Sequence, residues 1–201
     1  MDILVIRHAQ SEADILNVME GRADFSLTEL GLRQAALMAE WAKGYMSLTK
    51  IIASPLKRAR QTAEALSNVT GISAMYDDDL MEWQNGLIAG LKREEANKEY
   101  PMPEKRFLHT AMYGQESMIA FRARAESALS RMINENPTDS KIAVISHGGM
   151  INMLFRSLVE ARNNTEVSIS TGDTGIHHWQ IEGNIRRIVK TNSQIHLASI
   201  L

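Results

Sequence analysis

Short apolar runs rich in β-branched residues alternate along the chain with longer segments whose apolar residues recur every three or four positions. The short runs predict strands at residues 2–7, 50–54, 73–77, 141–146, 175–181 and 184–191. The longer segments predict helices at residues 28–46, 57–68, 117–134 and 150–159. This alternation is typical of a mostly parallel sheet with helices on both faces.

The predicted elements form a single α/β domain, residues 1–201, with a three-layer α/β/α architecture. The last two strands are joined only by residues 182–184, which is too short for a crossover, so we expect an antiparallel hairpin and an antiparallel strand at one sheet edge. His177 and His178 lie on one of these strands and must face opposite sides. Residues 83–116 contain Pro101 and Pro103, mixed charges and weak periodicity, and we interpret them as a lid-like insertion that selects the substrate.

The composition excludes several classes of binding partner and several kinds of catalytic or metal site. The 201 residues include 22 Lys and Arg against 24 Asp and Glu, which gives a net charge of −2 and no basic surface for nucleic acid or an anionic membrane. The absence of cysteine excludes disulfides, thiolate metal ligands and a cysteine nucleophile. No apolar run approaches the roughly 20 residues of a membrane span. We therefore expect a cytoplasmic protein that binds neither nucleic acid nor membrane.

Residues suited to catalysis follow four of the predicted strands. Arg7 and His8 follow the first, Arg58 the second, Glu82 the third and His147 the fourth. Because ligands bind at the carboxyl ends of strands in open α/β sheets, we expect these side chains to share one site. Each residue alone has an ordinary structural explanation, such as a solvated basic helix face for Arg58. To explain all of these residues without a shared function would require several coincidences of position.

Six motifs carry a resemblance to a known family. They lie at residues 7–11, 21–31, 54–63, 80–82, 114–117 and 146–149, and they begin with Arg-His-Ala-Gln-Ser and end with Ser-His-Gly-Gly. In this order they resemble the histidine phosphatase superfamily, the phosphoglycerate-mutase-like proteins, and in particular its phosphatase branch. The resemblance spans about residues 2–180, and the fold that it implies is similar to the one derived above.

The resemblance implies a role for each residue at a strand end. His8 is expected to attack phosphorus and form a covalent phospho-histidine, while Arg7 and Arg58 bind phosphate oxygens. His147 and the backbone N–H of Gly148 are expected to stabilise the charged transition state. The implied reaction needs neither a metal nor a cofactor.

Glu82 occupies the position of the family's carboxylic acid, which protonates the leaving oxygen and then activates water. The sequence departs from the family's pattern at Gln10, in the turn at Asp173 and at two further positions. Ala9 stands where the family usually has glycine, and Asp14 stands where many members have a phosphate-contacting asparagine. Ser11 offers a hydroxyl that can donate to phosphate. Ser11 and Asp14 therefore complete the candidates for substrate binding.

The expected function is hydrolysis of a small phosphorylated metabolite. Two alternatives stay open. One is a cofactor-dependent phosphoglycerate mutase, which must shield its phosphoryl group from water. The other is a catalytically weakened phosphate-binding regulator, which the changes at Ala9 and Asp14 suggest. The insertion at residues 83–116 is short for a dedicated mutase and favours hydrolysis. The identity of the substrate and the formation of a homo-oligomer stay open as well.

Overall fold

The computed structural model describes residues 1–105, 107–163 and 167–200. Its strands are β1 (Asp2–Arg7), β2 (Lys50–Ala53), β3 (Ala74–Tyr76), β4 (Lys141–Ser146), β5 (Ile176–Glu182) and β6 (Ile185–Ser193). Its helices are α1 (Glu12–Leu16), α2 (Glu29–Tyr45), α3 (Lys57–Thr70), α4 (Arg93–Glu99), α5 (Met118–Asn134) and α6 (Gly148–Leu158). All the predicted strands and helices are confirmed, with small shifts at their ends. None of the helices in the described ranges is long and apolar enough to cross a membrane.

The sheet has the strand order β3-β2-β4-β1-β5-β6. The first four strands in this order are parallel to one another, and β5 is antiparallel to both β1 and β6. The predicted hairpin at the sheet edge is therefore confirmed, and its antiparallel strand, β5, lies one position inside the outermost strand, β6. Two residues join these strands, and Gly183 adopts a φ of +54°, which suits a tight hairpin turn.

Alternate residues of β1 enter different hydrophobic layers. Ile3 and Val5 pack with residues of α5 and α6, whereas Leu4 and Ile6 pack with residues of α2 and α3. All four are buried, which is the pattern of a strand covered on both faces. The predicted three-layer architecture is thus observed. Because β1, β2 and β4 are parallel neighbours, their carboxyl ends meet at the same edge of the sheet.

His177 and His178 face opposite sides of β5, as strand alternation predicts. The His177 ring lies beside Trp179, and its Nε2 is 2.9 Å from Thr171 Oγ1. The His178 ring lies edge-on to Tyr45 of α2, and its Nε2 is 2.8 Å from an Asp2 carboxylate oxygen. The two imidazoles therefore belong to different layers and do not form a pair.

The insertion at residues 83–116 packs against the loop that follows α1. Met19 in that loop donates a backbone hydrogen bond to Leu91 and accepts one from Gly90, both at 2.8 Å. Within the insertion, Gly86 has a φ of +58°, and a Cβ there would lie 2.1 Å from the Tyr113 carbonyl oxygen, so glycine is required. The insertion thereby borders the residues that line the site. Its movement as a lid stays a prediction.

Candidate active site

The two histidines predicted at the strand ends come together because β1 and β4 are neighbours in register. Arg7, the last residue of β1, pairs with Ser146, the last residue of β4. His8 and His147 directly follow these residues, and their ring centroids lie 5.1 Å apart with the planes tilted by 54°. Both side chains are buried. The sheet therefore places two imidazoles at the floor of one pocket.

The tautomer of His8 follows from its hydrogen bonds. Its Nδ1 lies 2.7 Å from the carbonyl oxygen of Ala9, and because a carbonyl only accepts, Nδ1 must carry the proton. Nε2 is then free to accept, and Arg58 Nε donates to it at 3.3 Å. Burial, together with the positive charges of Arg58 and Arg7, holds the pKa of His8 well below its usual value. A neutral imidazole with an unprotonated Nε2 is the form that can attack phosphorus.

His147 is held by a serine that gave no separate signal in the sequence. Its Nε2 lies 2.7 Å from Ser54 Oγ, just beyond the end of β2. Burial and the nearby cation of Arg58 also hold the pKa of His147 well below its usual value. Both imidazoles are therefore neutral at pH 7, and His147 offers a hydrogen-bonding ring beside the nucleophile.

Arg58 is oriented by backbone carbonyls. It lies in the first turn of α3, and its two Nη atoms donate to the carbonyl oxygens of Ala23 and Gly21 at 3.0 and 2.7 Å. These bonds turn the Nε edge of the buried guanidinium toward His8. The predicted juxtaposition of Arg58 with the histidines is thus observed, and its position is fixed from behind by the loop at residues 21–23.

The side of the pocket nearest α1 carries three of the substrate-binding candidates, Arg7, Ser11 and Asp14. Arg7 Nη2 lies 3.5 Å from a carboxylate oxygen of Asp173 and 3.7 Å from one of Asp14. The other Asp14 oxygen accepts from Ser11 N at 2.8 Å and from Ser11 Oγ at 3.1 Å. Asp14 therefore caps the first turn of α1 with one oxygen while it balances the charge of Arg7 with the other.

Glu20 enters the pocket, although no sequence pattern singled it out. Its Oε1 accepts from Ser11 Oγ at 2.6 Å and lies 3.2 Å from Arg58 Nε, and its Oε2 lies 3.8 Å from His8 Nε2. Burial raises the pKa of Glu20, while the Arg58 cation opposes the rise. Glu20 was missed because it lies in an irregular loop, where a glutamate next to Gly21 has the pattern of an ordinary solvated turn.

Glu82 lies on the opposite side of the pocket and is held by two backbone amides. Its Oε1 accepts from the N–H of Trp83 and its Oε2 from the N–H of Gly149, both at 2.8 Å. A Cβ at Gly149 would lie 2.3 Å from Oε1, whereas a Cβ at Gly148 would meet nothing within 4 Å. The sequence analysis singled out the backbone N–H of Gly148. In the structure, the N–H of the next glycine, Gly149, donates to the Glu82 carboxyl group.

Two guanidinium groups, two neutral imidazoles and the Ser11 hydroxyl thus lie together at this edge of the sheet, with the carboxyl groups of Glu20 and Glu82 beside them. A family model described as the histidine phosphatase superfamily (branch 1) matches residues 3–194. The chain belongs to this superfamily. The phosphoglycerate-mutase-like fold expected from the motifs is confirmed by the solved structures that resemble it.

Relatives within the superfamily carry both mutase-like and phosphatase names. The chain is 28% identical over 176 residues to phosphoglycerate mutase-like protein 4 of Arabidopsis thaliana, which covers 85% of this chain and 76% of that protein. It is 25% identical to a mutant phosphoserine phosphatase from Entamoeba histolytica solved with phosphoserine, with a TM-score of 0.78 over 98% of both chains. A mycobacterial glucosyl-3-phosphoglycerate phosphatase solved with VO3 matches in fold, with a TM-score of 0.84 at 24% identity over 96% of this chain and 98% of that one.

An arginine from a distant helix supports the backbone that carries Glu82. Arg124 of α5 donates to the carbonyl oxygens of Met81 and Glu82 at 2.5 and 2.8 Å, and it pairs with Glu116 at 2.6 Å. Arg22 also donates to the Glu82 carbonyl oxygen, at 3.2 Å. The backbone that carries the acid is therefore fixed independently of its carboxyl group. Neither arginine was predicted, because their partners are carbonyl groups that no side-chain pattern reveals.

A cleft of about 310 Å³ opens beside Glu20 and Glu82. It is lined by Met19, Glu20, Gly21, Glu82, Trp83, Asn85, Arg93 and Gly149. The predicted insertion contributes three of these side chains, so it borders the space where a leaving group would lie. Among the described residues, no group of three or more His, Asp or Glu side chains has a geometry that could hold a metal ion.

Proposed function

We propose that the chain is a metal-independent phosphatase that hydrolyses small phosphate monoesters through a phospho-histidine on His8. The observation that carries this proposal is the neutral His8 ring, whose unprotonated Nε2 faces Arg58 across 3.3 Å with His147 beside it. A phosphate monoester is a dianion, and transfer of its phosphoryl group depends mainly on positioning and charge stabilisation. The pocket supplies both, and the phosphatases among its structural neighbours support the same reaction class.

In the first step, the phosphoryl oxygens lie against Arg58, Arg7 and His147. His8 Nε2 attacks phosphorus, a P–N bond forms, and the P–O bond to the leaving group breaks. The Glu82 carboxyl gives its proton to the leaving oxygen, which departs as an alcohol through the cleft.

In the second step, Glu82 is a carboxylate and acts as a base. It removes a proton from a water molecule, the water oxygen attacks phosphorus, and the P–N bond to His8 breaks. Inorganic phosphate and a neutral His8 remain, and Glu82 is protonated again. The two backbone amides that hold Glu82 keep its carboxyl group in one place for both steps.

A phosphoglycerate mutase is the second candidate, because a curated relative at 28% identity is a phosphoglycerate mutase-like protein. A mutase must keep water away from its phospho-histidine. Here Glu82 is only partly buried and borders an open cleft, which favours hydrolysis. Release of inorganic phosphate from 3-phosphoglycerate, measured against formation of 2-phosphoglycerate, separates the two activities.

The test of the proposed function is a panel of phosphorylated metabolites assayed with a chelator present. The wild type should release inorganic phosphate from at least one of them and should carry an acid-labile phosphoryl label after rapid quenching. His8→Ala should lose the label and about 10⁴-fold or more of the turnover. His109→Ala, which changes an exposed histidine, should keep the label. Loss of activity with the chelator, a label that persists in His8→Ala, or phosphate binding without any hydrolysis would contradict the proposal.

A further inference from the structure

The Glu20 carboxylate lies where a phosphoryl group would have to lie to react with His8. It contacts a hydroxyl donor, a buried guanidinium and the nucleophilic nitrogen at 2.6, 3.2 and 3.8 Å. These groups are Ser11, which the sequence offers as a donor to phosphate, and Arg58 and His8, which the proposed function assigns to phosphate. A phosphorus atom and its oxygens cannot fit between the carboxylate and His8 at these distances. The side chain of Glu20 must therefore give way, or change its charge, before a phosphate ester reacts.

We propose that Glu20 is an internal anion that competes with phosphate for this pocket, so that the enzyme takes up a proton when a phosphate dianion binds. This inference rests on the proposed function for the nature of the ligand. It concerns binding alone and involves no further chemical step.

The charge balance around Glu20 supports the proton uptake. The charged and titratable groups that face it are Arg7 and His8 from the end of β1, Asp14 from α1, Arg58 from α3, and Glu82 and Arg93 along the cleft. The guanidinium of Arg58 already faces Glu20, and that of Arg7 faces Asp14 and Asp173. A phosphate dianion adds two negative charges to this arrangement, which is more than the single cation of Arg93 along the cleft can balance. A proton on Glu20, or shared between Glu20 and a phosphate oxygen, removes one unit of that excess.

The backbone on either side of Glu20 is fixed, so the loop does not simply swing away. Met19 is bonded to the insertion through Leu91 and Gly90, and the Gly21 carbonyl oxygen accepts from Arg58 at 2.7 Å. Gly21 also has a φ of +48°, and a Cβ there would collide with Asn85. Only side-chain rotation can move the carboxylate, and rotation takes it along the cleft that the leaving group must use.

The experiment measures the affinity of sulfate, which stays a dianion from pH 5 to pH 8, by calorimetry on the full-length protein. For the wild type, affinity should fall about tenfold per pH unit above the pKa of the Glu20 carboxyl, which corresponds to uptake of about one proton. Glu20→Gln keeps the shape and removes the charge. It should bind sulfate about tenfold or more tightly than the wild type at pH 8 and should lose this pH dependence.

Two variants control for charge and for the second carboxylate near the anion. Glu40→Gln on the exposed face of α2 makes the same change in net charge and should behave like the wild type. Asp173→Asn removes a carboxylate whose pKa is also raised by burial, but which faces Arg7 rather than His8, and it should keep the wild-type slope.

Three results would overturn the proposal. The first is equal sulfate affinity in Glu20→Gln and the wild type at pH 8, and the second is a difference in affinity between them that stays constant from pH 5 to pH 8. The third is loss of the pH dependence of sulfate affinity in Asp173→Asn rather than in Glu20→Gln. If these occur while His8 still takes the phosphoryl label, the competition by Glu20 is wrong and the proposed phosphatase function stands. If neither wild type nor Glu20→Gln binds sulfate or phosphate, both proposals fail.

Discussion

The two sides of the active site are built in different ways. The wall of the proposed nucleophile, called here the nucleophile wall, is made of Arg7, His8, Arg58 and His147. Burial and the arginine cations keep both of its imidazoles neutral. The acid wall consists of Glu82 and its supports, and there the carboxyl group accepts from two backbone amides at 2.8 Å while arginines bind the carbonyl groups behind it. One wall depends on burial and charge, and the other on the position of the main chain.

This difference matches what each wall must do. A nucleophile must keep its lone pair, so it gains from cations and burial that hold the pKa of an imidazole low. An acid that becomes a base must keep its position in both protonation states, and backbone amides provide that position while the cleft gives access to water. The walls also differ in where their arginine charges are neutralised. Arg58 pairs with Glu20 inside the pocket, whereas Arg124 pairs with Glu116 behind it.

Within the acid wall, the largest expected effect comes from removing the proton of Glu82. Glu82→Gln should slow turnover of alkyl phosphates by about 10²- to 10⁴-fold, because an alkoxide is a poor leaving group without a proton. Activated aryl phosphates leave readily as anions, so their rate of phospho-histidine formation should fall much less. Steady-state and single-turnover rates on both substrate types measure the contrast. Equal losses on both in the single-turnover phase would remove the acid role from Glu82 and break the division between the walls.

The nucleophile wall was predictable from the sequence, and much of the acid wall was not. The residues of the nucleophile wall lie close to strand ends: Arg7 ends β1, His8 and His147 directly follow β1 and β4, and Arg58 lies in the first turn of the helix after β2. The parallel order of the sheet therefore brings them together. Glu82 was also placed near a strand end, but its role as the acid came only from the family motif. Arg124 lies in the middle of α5 and binds carbonyl groups, which every residue has, so nothing in the pattern of side chains marks it.

The fold shows the same contrast between periodic and irregular segments. Strands and helices of two or more turns leave a pattern of apolar residues, and these were all predicted. Helices α1 and α4 have five and seven residues, which is too short for a repeat of 3.6 to be seen. Glu20 lies in the loop after α1, where its position depends on contacts with α3 and the insertion. Its entry into the pocket is therefore a property of the tertiary structure.

A smaller change in the acid wall should act through position alone. In Gly149→Ala, the new Cβ would lie 2.3 Å from Glu82 Oε1, so the carboxyl group must move while its chemistry is unchanged. We expect turnover of alkyl phosphates to fall about 10- to 100-fold, which is the usual cost of a misplacement of about 1 Å. Kinetics on the same alkyl and aryl phosphates measure the effect.

The matched control for this change is Gly44→Ala in α2, where a Cβ meets nothing within 4 Å. It should leave turnover unchanged and raise the free energy of unfolding by about 0.5–1 kcal/mol, because alanine restricts the unfolded chain more than glycine does. If Gly149→Ala also kept full turnover on alkyl phosphates, the fixed position of the acid would not matter to the reaction.

The smallest expected effect is on stability, and it tests whether burial of neutral imidazoles distinguishes the nucleophile wall. The pKa of His147 is well below its unfolded value of about 6.5. Between these two pKa values the unfolded chain binds more protons, so the stabilising contribution is complete above pH 6.5 and is lost as the pH falls below it. Acidification from pH 7 to pH 5 should therefore destabilise the folded protein through this one residue.

His147→Gln keeps a polar group near Ser54 and removes the titration. Its thermal midpoint should therefore fall less between pH 7 and pH 5 than that of the wild type. Some acid sensitivity should persist, because burial also lowers the pKa of His177 and His196 to about 4. His109→Asn, at an exposed histidine of the insertion, should keep the wild-type slope. Identical slopes for His147→Gln and the wild type would mean that the nucleophile wall accepts a proton as readily as the unfolded chain does, and the contrast between the two walls would then lie in geometry alone.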